Sequence, residues 1–170
     1  SATEADQAKR ASREQVSELL KRADQLVQAG DLAGAEDVLT QAEENVLADD
    51  SLTRNRVMLA RATVKIRRGD LAGASKLLDT VSRTGSVTET ERARIETLKA
   101  RIASATTDAQ RRAAIAEIST LADDAAIQRA RDEVTRDPGN IGARFVLVDL
   151  LRQGRQFDEA QRAAEGLLAY

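Results

Sequence analysis

Two Asp-Asp pairs, Asp49-Asp50 and Asp123-Asp124, are the places in this chain where acid–base or cation chemistry would be sought first. Paired carboxylates can share a proton or hold a divalent cation. Both pairs also fit helix starts, where a carboxylate accepts orphan backbone N–H bonds and answers the helix dipole. Adjacent residues on a helix point in different directions, so capping is the favoured role for each pair. The chain has no His and no Cys. Imidazole and thiolate chemistry is therefore missing, together with nearly every zinc, iron or copper site. Neither a GxGxxG nor a P-loop pattern is present to cradle phosphate. The expectation is a chain that is not an enzyme, with no catalytic residues, no cofactor and no metal.

Charge is unevenly placed. Residues 31–50 carry seven acids (Asp31, Glu36, Asp37, Glu43, Glu44, Asp49, Asp50) and no base, whereas residues 51–83 carry eight bases against two acids. Arg56, Lys65, Arg67 and Arg68 would make a basic patch for an acidic partner segment, with bidentate Arg contacts. The favoured reading is plainer: neighbouring helices of opposite sign pair with one another and fix their register. A net charge of −2 argues against nucleic acid, whose phosphates call for a basic surplus. Arg outnumbers Lys 21 to 5, a composition bias of the kind expected from a GC-rich bacterial genome. No apolar run approaches the ~20 residues of a membrane span. The chain starts at Ser1, so a trimmed N-terminus is expected. The compartment stays open between bacterial cytoplasm and periplasm.

The elements that must carry these residues are helical. Hydrophobic residues make up 42% of the chain but aromatics only 2%, so the core is built from Leu, Val, Ile and Ala. The stretch AGDLAGAEDVL at 29–39 returns as RGDLAGASKLL at 68–78, and a looser copy, GRQFDEAQRAAEGLL, occupies 154–168. A Gly-polar-apolar-small-small-Ala phrase between helical patterns marks helix–turn–helix repeats. Apolar spacing predicts helices over 4–29, 31–48, 51–68, 70–81, 88–105, 108–121, 124–136, 141–153 and 156–169. Gly30 and Gly69 read as helix stops, Asp31, Asp70 and Asp50 or Ser51 as caps, and Thr88 with Glu91 as a capping box. Residues 108–136 are expected to break near Asp123-Asp124, and Leu121 joins the apolar stripe of the first piece. No segment alternates with period two, so no sheet is expected.

These residues resemble the tetratricopeptide repeat, a helical hairpin of about 34 residues. Leu19, Ala23, Leu26, Gly30, Leu32, Ala35, Leu39 and Ala42 match in the first unit, and Met58, Ala62, Gly69, Leu71, Ala74 and Leu78 in the second. Pro138, Leu147, Val148, Leu151, Phe157, Ala160 and Ala164 match in the last, with Gly154 one residue early. The 39-residue spacing and the poor fit of 85–136 depart from the pattern. The resemblance implies an all-α, irregular right-handed stack of eight or nine helices, an α-solenoid forming one domain over 1–170. Within it lie a polar helical extension (1–15), repeat 1 (16–48), repeat 2 (50–83), a degenerate hairpin or hairpins (85–136) and a C-terminal repeat (137–170). The DPxNxxAR ending is also similar to the C-terminal region of bacterial thioredoxin-fused tetratricopeptide co-chaperones. That similarity implies holdase-like or partner-docking work without redox chemistry.

In such a stack the first helices of the hairpins line a groove. The resemblance places Leu20, Asp24 and Val27 there from the first unit, Arg56, Leu59, Thr63, Ile66 and Arg67 from the second, and Phe145, Asp149 and Arg152 from the last. Leu20, Leu59, Asp24 and Thr63 stand where a carboxylate-clamp repeat has Lys and Asn, so an acidic tail would not be gripped that way. Leu20, Leu59 and Phe145 would offer an apolar row to a partner segment, although packing against neighbouring helices explains each of them as well. The implied function is a non-catalytic scaffold binding a protein or peptide. The alternative is an assembly protein forming homo-oligomers through stacked repeats.

Overall fold

A computed structural model describes residues 2–168 and, among them, eight α-helices with no strand. They are α1 (Ala2–Gln28), α2 (Leu32–Glu44), α3 (Ser51–Arg67), α4 (Leu71–Ser82), α5 (Glu89–Ser104), α6 (Asp108–Arg136), α7 (Ile141–Gln153) and α8 (Phe157–Leu167). The chain divides into two compact units, Ser1–Ala116 and Glu117–Tyr170, with the boundary inside α6.

In the first unit each helix packs on the next from α1 to α5, and α1 also touches α3. The bends come from the doubled phrase. After α1, Gly30 takes φ +82°, its N–H donates to the Val27 carbonyl, and the Asp31 N–H reaches back to Leu26. Gly69 repeats this at φ +85°, with bonds to Ile66 and from Asp70 to Lys65. Both are Schellman stops, which need the left-handed backbone that glycine adopts at little cost. Asp31 and Asp70 then cap α2 and α4 by accepting from Gly34 N at 2.8 Å and Gly73 N at 2.9 Å. A Cβ on Gly34 or Gly73 would lie 2.3 Å from the other oxygen, Oδ2, of the capping carboxylate, so the second glycine of the phrase makes room for the cap.

Ala35 and Ala74, five residues beyond each stop, are completely buried. Ala35 joins Ala23, Val38, Leu39 and Val64 in one cluster, with Leu19, Leu20, Leu26 and Val27 packed on it. Val16, Ala42, Val46 and Val57 form a second cluster, and Ala62, Leu78, Val81 and Ile95 a third. In the second unit Ile127 and Ala130 of α6 pack with Leu147, Leu150 and Leu151 of α7 and Ala160 of α8.

Three expectations change. The helix that begins at Leu32 stops at Glu44, short of residue 48, because the Asn45 side chain bonds the Gln41 carbonyl and Val46 turns under the core. Residues 108–136 form one helix. No Gly or Pro lies in that stretch, and two Asp among alanines cost too little propensity to break it. Asp123-Asp124 therefore lies inside a helix and not at a helix start. The side chain of Leu121 lies outside the described residues.

The third copy of the phrase bends differently. Arg155, not Gly154, takes the left-handed conformation at φ +58°, with the Schellman bonds running from Arg155 to Arg152 and from Gln156 to Leu151. Gly154 stands one residue early because a Cβ there would press within 3.2 Å of Ile127 Cδ1. Arg155→Gly should therefore stabilise the second unit by about 0.5–1 kcal/mol. Gly30→Ala should destabilise the first unit by about 1 kcal/mol. Urea denaturation of the two variants checks both signs.

Candidate functional site

Several charged residues are committed within the fold. Asp50, only 2% exposed, caps α3 through Thr53 N (3.3 Å) and accepts from Thr53 Oγ1 (2.7 Å). Arg13 of α1 donates to it from Nε at 2.9 Å and Nη2 at 3.2 Å. Next door, Ser12 Oγ donates to the Asn45 carbonyl at 2.7 Å. The start of α1 is thus tied to the α2–α3 loop from Ser12 onward, while residues 3–8 are exposed. The Arg13 hydrogen bonds hold the Asp50 carboxyl well below the usual carboxylate range, against the opposing effect of burial, with Thr53 adding to the depression. Among the described residues, no three of His, Cys, Asp and Glu converge as a metal site would require.

The opposed charges of α2 and α3 meet across their packed faces. Lys65 Nζ lies 2.8 Å from Glu36 Oε1 and 3.4 Å from Asp70, Arg68 also reaches Glu36, and Arg61 reaches Glu43. The Lys65 hydrogen bond, seconded by Arg68, lowers the Glu36 carboxyl below its ordinary value despite burial. Lys65 and Arg68 are therefore committed to register between helices, and the basic patch drawn from them loses two of its four members.

The groove residues fall into three kinds. Ile66 is fully buried and faces no solvent, which corrects its placement in a groove. Leu20 and Val27 are half-buried against the cluster that holds Ala35 and Val64, and Leu59 against the one that holds Leu78. Thr63 is half-buried with its hydroxyl donating to the Leu59 carbonyl at 3.1 Å, and Arg67 is half-buried too. Asp24, Arg56, Phe145, Asp149 and Arg152 are exposed. Leu20, Asp24, Val27, Arg56, Leu59, Thr63 and Arg67 belong to the first unit, and Phe145, Asp149 and Arg152 to the second.

Three large apolar residues of α7 are exposed. Phe145 is 56% exposed, with Ile141 at 46% and Val146 at 47%, while Ala143, Leu147, Leu150 and Leu151 on the opposite side are buried. Ile141, Phe145, Asp149 and Arg152 follow one another at helical spacing and share a face. Ile141 and Val146 were not among the residues expected there. Their signal was available: eight of the thirteen α7 residues are apolar, more than one stripe of a helix can bury. Phe157, at the start of α8, is 63% exposed, and Leu168, just past its end, 88%. On α3, Leu52 is exposed in line with Arg56, Leu59, Thr63 and Arg67.

Two measurements check this division of labour. Phe145→Ala should change stability by no more than about 0.5 kcal/mol, whereas Leu151→Ala should cost about 2–5 kcal/mol. For Asp50, a depressed carboxyl contributes stability that is complete above about pH 4 and is lost as the pH falls further. Asp50→Asn should cost about 2 kcal/mol at pH 7, and its melting temperature should fall less steeply than that of the parent between pH 5 and pH 3. No family model, curated protein or solved structure matches the chain.

Proposed function

We propose that the chain is a tetratricopeptide-like stack of helical hairpins that binds a segment of another protein without catalysing a reaction. The packing of α1 to α5 in chain order, two identical Gly-Asp bends and a buried Ala five residues after each support the repeat reading. The binding reading rests on one observation: α7 exposes Ile141 and Phe145 on one face, and Val146 about 100° round the helix from Phe145, while Leu147, Leu150 and Leu151 fill the core. Two apolar side chains that share their face with Asp149 and Arg152 suit the apolar and charged anchors of an extended or helical segment. The half-buried Leu20, Val27 and Leu59 serve mainly as packing. Phe145→Asp should abolish partner capture from the source lysate while the helical circular dichroism of the parent is kept. Undiminished capture by a folded variant would remove α7 from the site.

The exposed Phe157 at the start of α8 and Leu168 just past its end favour a second reading, self-association into an assembly. Sedimentation at rising concentration separates the two, because a chain that stays monomeric at high concentration eliminates the assembly.

A further inference from the structure

We draw no further inference here: the strongest candidate, the first turn of α8, where Arg155, Phe157 and Arg162 line a shallow cleft and Gln156 gives no side-chain cap, carries nothing because it is a helix N-terminus whose own Asp158 and Glu159 already answer the dipole and no second feature points to a ligand.

Discussion

Among the described residues no aromatic ring is buried, and a helical core of that kind has to be closed by bringing backbones together. Both phenylalanines of this chain are exposed, so the space between helices is filled by Val, Leu and Ile around small residues. Ala23, Ala35, Ala42, Ala62, Ala74 and Ala160 are all buried at or near helix contacts. Alanine at a crossing lets two helices approach closely, but it leaves little tolerance: a larger side chain would overpack the contact. Each hairpin must therefore bend at a fixed place so that its alanine arrives at the crossing.

The bends meet that demand with local chemistry. A left-handed glycine, an Asp cap and a second glycine beneath the cap fit into five residues, two Schellman bonds tie them back to the preceding helix, and the buried alanine follows directly. An N-cap of this type contributes about 1 kcal/mol, so the turn is a modest source of stability but a firm source of geometry. The third copy shows what happens when two demands compete for one glycine. The close approach of Ile127 claims Gly154, and Arg155 is left to adopt the left-handed backbone. Long-range ties complete the frame: Arg13 to Asp50 holds α1 against the start of α3, and Arg131 grips Glu159 of α8 through two hydrogen bonds, at 2.8 and 2.6 Å.

The bends, the caps at Asp31, Asp70 and Thr88, and most core stripes were legible in the sequence because they are local. Capping depends on residues three apart, and an apolar stripe on spacings of three and four. The continuity of α6 was not legible, since an Asp pair looks the same at a helix start and inside a helix. The pairing of Arg13 with Asp50 spans 37 residues and has no local signature. Periodicity also says which residues are apolar, not which of two apolar sides a neighbour will cover. That is why Ile66 was expected in a groove, and why α7 was credited with one open apolar residue where it has three.

What the fold leaves uncovered is therefore more informative than its repeat. The turn phrase touches only its own hairpins, and the α2–α3 charges are spent on each other. The outward face of α7 has no such internal use. Site-specific photo-crosslinking from position 145 in source extract tests its role most directly. The binding account predicts an adduct with a different protein, lost when the crosslinker is moved to the buried position 147. Adducts only between copies of the chain, or none at all from position 145, would contradict it.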